Sequence, residues 1–146
     1  MPGRIYSVGY EGLGLEAFVG RLGSAGVTLL VDVRLNPVSR KRGWSKRLLQ
    51  TALEAAGISY RHEPALGNPP DNRDSFRRGD GEEGRRRMRE ILAEDGGSAL
   101  AQLARDAHNA RVAVLCVERA ASRCHRQVTT DMVREQDPTM EVLPLE

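Results

Sequence analysis

At 146 residues, the chain has the length of one domain and enough of it to bury a sizeable core. Its 40% hydrophobic and 4% aromatic content is ordinary for a globular protein and builds the core from Leu, Val and Ala rather than from rings. A net charge of +2, from 22 basic and 20 acidic residues, does not mark a bulk nucleic-acid binder.

Charge is instead distributed unevenly. Arg34 to Arg47 holds six basic residues and no acidic one, whereas the chain beyond Arg134 holds four acidic residues and no basic one. One positive face is expected, although such stretches also serve as plain solvated surface. Two cysteines, one inside an apolar run, do not make a disulfide framework. No run reaches transmembrane length, and the first residues lack an apolar leader core, so a cytoplasmic protein without membrane contact is expected.

In chain order, Ile5–Val8 reads as a strand, followed by a glycine-rich loop, Gly9-Tyr10-Glu11-Gly12-Leu13-Gly14. Its G-x-x-G-x-G order reverses the dinucleotide fingerprint, and the Walker lysine pattern is absent. Leu15, Phe18, Val19 and Leu22 recur at helical spacing, closed by Gly23 and Gly26. Val27–Val33 is a buried strand carrying Asp32 near its carboxyl end, with Arg34 two residues on and on the same face. Asn36-Pro37 turns the chain into the basic segment that holds Trp44. A helix follows from Ser45 through Leu48, Leu49, Ala52 and Leu53 to Gly57, and then a short strand, Ile58–His62.

Glu63–Gly81, rich in Pro, Gly and Asx, is expected to be a long loop without regular structure, bordering the functional edge. An arginine-rich helix, about Glu82–Glu94, and a second helix through Leu100, Leu103, Ala104 and Ala107 are separated by Gly96-Gly97. Val112–Val117 is apolar on both alternating faces and reads as the central strand, buried between two layers. A helix from Ser122 to about Glu135 and a last strand, Thr139–Leu143, stopped by Pro144, complete the chain. This order predicts a single α/β domain over 1–146, three layers deep, with a mostly parallel five-stranded sheet and helices on both faces.

Ligands of open α/β sheets bind beyond the carboxyl ends of the strands. There the sequence places Asp32 and Arg34 after one strand, and Glu118, Cys124, His125 and Arg126 after another. Four blocks then resemble the uncharacterised family catalogued as domain of unknown function 488: Tyr6–Gly12, Leu30–Arg40, Tyr60–Asn68, and Leu115–Glu118 with Cys124–Arg126. The resemblance implies a small α/β domain with its recurrent polar residues at one edge of the sheet. It brings no established activity. Carried over by position, its motif marks Asp32, Arg34, Pro37, Ser39, Arg40, Tyr60, Leu66, Gly67, Glu118, Cys124, His125 and Arg126. Tyr10-Glu11 departs from it, standing where many members have His-Ser.

The candidate catalytic residues are Glu118, His125 and Asp32, and the candidate ligand-binding residues are Arg34, Ser39, Arg40, Tyr60 and Arg126. Each has a structural reading beside the functional one. The acids either pair with Arg34 or Arg126 to fix loops, or act as a general base or ligand acceptor. His125 either exchanges protons or bonds a loop carbonyl. Cys124 heads the stripe Cys124, Val128, Met132, so packing competes with thiolate chemistry. Cys116, Cys124, His62 and His125 lack zinc-type spacing, and neither a metal nor another cofactor is expected. The arginines suit phosphate or carboxylate, so the expected partner is an anionic small molecule or nucleic acid. If the site is catalytic, hydrolysis or group transfer is expected rather than redox chemistry. The alternatives are a non-catalytic nucleic-acid-binding module built on the basic segment 34–47 and the arginine-rich helix, and a partner-binding domain whose long loop folds on another protein.

Overall fold

The computed structural model describes residues 3–10, 12–34, 45–69, 72, 81–116 and 125–145. Five strands, β1 (Arg4–Gly9), β2 (Leu29–Asp32), β3 (Ser59–His62), β4 (Val112–Cys116) and β5 (Glu141–Pro144), form one sheet in the order β3-β2-β4-β1-β5. Every pairing is parallel, with Leu30 beside Ala113, Ser7 beside Val114 and Asp32 beside His62 in register. The helices are α1 (Leu15–Ser24), α2 (Lys46–Ala55), α3 (Gly81–Asp95), α4 (Gly97–Asn109) and α5 (Arg126–Gln136).

The alternation of β4 explains the layers. Val112 and Val114 join Met88 and Leu92 of α3, Leu100 and Leu103 of α4, and Val128 and Val133 of α5 in one core. Ala113 and Leu115 point the other way, into a core with Phe18 and Leu22 of α1 and Leu49 and Leu53 of α2. All four of these β4 residues are fully buried, so an apolar run on both faces is what this position requires. Helical spacing picked out the right stripes in general, but Leu48 turns outward on α2 and is half exposed.

The connections travel in two directions. β1 to β2 and β2 to β3 step toward the β3 edge under α1 and α2, whereas β3 to β4 and β4 to β5 step back toward the β5 edge on the opposite face. A constant crossover hand requires that division. β2 and β4 are neighbours whose onward connections diverge, the kind of switch point beyond which open α/β sheets form a ligand crevice.

Local departures from the sequence expectations have local causes. β2 begins at Leu29 rather than Val27 because the Val27 amide caps α1 through the Leu22 carbonyl, after Gly26 takes the left-handed turn at φ 76°. β5 begins at Glu141 because Thr139 donates its amide and hydroxyl to Asp137 Oδ1 in a tight turn. Pro144 belongs to β5 instead of stopping it. Glu141 and Leu145 send their amides to β1, so the nitrogen of residue 144 faces outward, where an edge strand needs no donor.

α5 starts at Arg126 rather than Ser122, and residues 117–124 lie outside the described residues. Helix α4 starts at Gly97, so only Gly96 interrupts the run from α3. A Cβ on Gly96 would meet the Leu92 side chain at 2.8 Å and its backbone at 3.0 Å, so a side chain there would crowd the last turn of α3. The loop after β3 is not wholly irregular. Pro64–Leu66 forms a 3-10 turn that buries Leu66 beside Val31 and Val33, because this loop must close the core as well as connect. Farther along, the fully buried Asn72 amide donates to Asn68 Oδ1 and to the Gly84 carbonyl, tying the loop to α3.

Candidate functional site at the carboxyl edge

Asp32 ends β2 on the face of α1 and α2, and its side chain has no exposed surface. A carboxylate there is costly unless donors surround it. Four do. The Arg34 amide donates to Oδ1 at 3.1 Å, Arg34 Nε to Oδ1 at 2.8 Å, Arg34 Nη2 to Oδ2 at 2.6 Å, and the Tyr60 hydroxyl to Oδ2 at 2.6 Å. The strand geometry makes this possible. Asp32 and Arg34 share a face by alternation, and Tyr60 lies across from Leu30 on β3, one pleat back, so its ring reaches along the strand.

The Arg34 guanidinium also lies over the Tyr10 ring, 5.5 Å from its centroid, within cation–π range. Burial works against the charge on Arg34, but the hydrogen bonds and negative field of Asp32 outweigh it and raise the guanidinium above its usual pKa. Burial likewise pushes the Tyr60 phenol up, and the bond to Asp32 and its charge push it further. Tyr60 is therefore a fixed donor in the neutral form.

Two histidines continue the β2 ladder past its end, one from each side. On the β3 side, His62 Nε2 bonds the Arg34 carbonyl at 2.7 Å. On the β4 side, His125 Nε2 bonds the Val33 carbonyl at 2.9 Å. A carbonyl only accepts, so both Nε2 atoms carry the hydrogen. The structure thus shows the loop-carbonyl bond that the sequence set beside proton transfer for His125. Arg126 follows on α5, is 1% exposed, and donates through Nε to the Ser7 hydroxyl of β1 at 2.7 Å.

Asp32, Arg34 and Tyr60 thus meet directly, and His125 and Arg126 reach the same edge from the layer of α5. Ser39, Arg40 and Glu118, together with Pro37 and Cys124, lie outside the described residues. Among the described residues, no group of three or more His, Cys, Asp and Glu side chains is placed to hold a metal ion. Ser7, Tyr10 and His62 also belong to this edge and were not singled out as site residues. The signal for His62 was its spacing from Tyr60, which repeats that of Asp32 and Arg34 on the neighbouring strand. Ser7 gave none, since a serine within a strand is commonplace.

A parallel sheet with helices on both faces and a switch in direction between β2 and β4 defines an open, three-layer α/β protein. Within that class the chain belongs to the family described as domain of unknown function DUF488, whose model matches residues 14–133. Against curated proteins the chain gives no significant match. Among the described residues, no helix is long and apolar enough to cross a membrane.

Proposed function

We propose that the crevice beyond β2 and β4 binds an anionic, phosphate-bearing ligand such as a nucleotide or nucleic acid. The observation that supports this reading is that two buried guanidinium groups from distant parts of the chain, Arg34 and Arg126, lie toward the carboxyl ends of the strands, one bonded on each face of the sheet. Buried arginine held in a fixed plane suits a bidentate oxyanion. Asp32 serves by orienting Arg34, since its oxygens already accept five bonds, while Ser39 and Arg40 add donors from the basic segment. The chemistry this arrangement suits is hydrolysis or group transfer. Glu118 or His125 would exchange the proton.

The rival nucleic-acid module draws less support from the arginine-rich helix α3. Arg86 is bonded to Glu83 and Glu90 there, and Arg89 to Glu135 of α5, so carboxylates intersperse this helix face and it is not a uniformly basic footprint. Inorganic phosphate is expected to raise the melting temperature of the protein, Arg126→Ala to remove the effect, and Arg126→Lys to restore it in part. Equal stabilisation of wild type and Arg126→Ala would overturn the site, because generic salting-out protects both alike. A thermal-shift screen over nucleotides and sugar phosphates then identifies the ligand. If arbitrary DNA or RNA binds instead, with a steep salt dependence, the module is correct.

A further inference from the structure

Resting on that reading, we propose that Ser7 is a positioning residue of the anion site, acting through Arg126. The first two residues at the head of α5 reach across the end of β4 in opposite directions. His125 reaches the Val33 carbonyl on the β2 side, 92 residues away in sequence, and Arg126 reaches Ser7 on the β1 side, 119 residues away. The start of the helix is thereby fixed to both strands that flank β4. The Ser7 bond is one restraint on the plane in which Arg126 would meet a ligand.

The chemistry of that partner matters. Ser7 is 5% exposed and shares its face of β1 with Ile5, in the layer where Val112, Val114 and Val128 pack. A hydroxyl in such surroundings is costly unless bonded, and Arg126 Nε supplies the bond. Beside Arg34, by contrast, the orienting group is the carboxylate of Asp32, which offsets the charge it holds. Ser7 orients its arginine without contributing negative charge. Bidentate recognition depends on the plane of the guanidinium, so losing that restraint weakens anion binding even though the charge stays.

The test uses two readouts on the full chain. One is hydrogen exchange at the Arg126 Nε–H, followed by nitrogen-labelled NMR and assigned by its loss in Arg126→Lys. The other is the apparent affinity for inorganic phosphate, taken from thermal shifts. Ser7→Ala is expected to speed that exchange and weaken phosphate binding, each about tenfold, as for one lost charge-assisted bond. Ser7→Thr, which keeps the hydroxyl, is expected to rescue both. If Ser7→Ala does not fold, Ser7→Cys, close in size and a poorer acceptor, reads the same two effects. Unchanged exchange in a folded Ser7→Ala or Ser7→Cys protein overturns the proposal, as does unchanged phosphate affinity where Arg126→Lys lowers it. If phosphate fails to stabilise the wild type, the anion reading is overturned, while the exchange rates still decide whether Ser7 holds Arg126.

Discussion

Backbone, guanidinium and phenol donors converge on the Asp32 carboxylate, and removing it takes from a buried cation an acid that faces it. Asp32→Ala removes the buried carboxylate bonded to Arg34 and is expected to cost about 3–5 kcal/mol in urea denaturation, far more than breaking an exposed pair would. Tyr60 carries a pH signature. Its pKa is raised in the folded state above the usual 10.0, so the folded protein holds a proton that the unfolded chain releases. The resulting stability is complete below pH 10 and is lost as pH rises through the folded value. Tyr60→Phe is expected to abolish this alkaline loss, measured as the pH dependence of unfolding from neutrality upward. Part of this was legible beforehand. Asp32 and Arg34 two apart in a strand announce a shared face, and Tyr60 lay within a recognisable block. That Tyr60 reaches Asp32, or that Arg126 meets Ser7, depends on which strands lie side by side, and alternation within one strand does not carry that information.

Among the elements, the joint between α3 and α4 leaves little room for a Cβ at Gly96. Gly96→Ala brings a methyl group against Leu92 and is expected to destabilise by about 1–3 kcal/mol, although alanine ordinarily favours helices. Thermal unfolding measures the sign directly: stabilisation would show that the joint yields without strain. The elements themselves were readable because periodicity is local, and β4 in particular announced its burial by being apolar on both faces. Their ends were harder to read, because capping decides them. Val27 has a strand-former's side chain, but its amide is used by α1. Thr139 likewise has a strand-like side chain in a turn built by Asp137.

Across the whole molecule, sequence order and spatial order part company. The alternation of elements implied a parallel sheet with helices on both faces, and the structure has that architecture. The sequence did not state that β4 enters between β1 and β2, since no residue in either strand names its neighbour. That insertion also dictates when the sheet can be completed. Both partners of β1, β4 and β5, come from residue 112 onward, so an emerging chain carries its first strand unpaired until most of it has been made. β2 and β3 can meet early, but the centre of the sheet must wait. A fragment ending at residue 111 is expected to lack cooperative unfolding, with a denaturation profile showing no sigmoidal transition. The intact chain should refold slowly for its length, as proteins dominated by distant pairings do. Its first strand is thus a sticky edge in waiting, and a cell making this protein must keep that edge from other chains until the last quarter arrives.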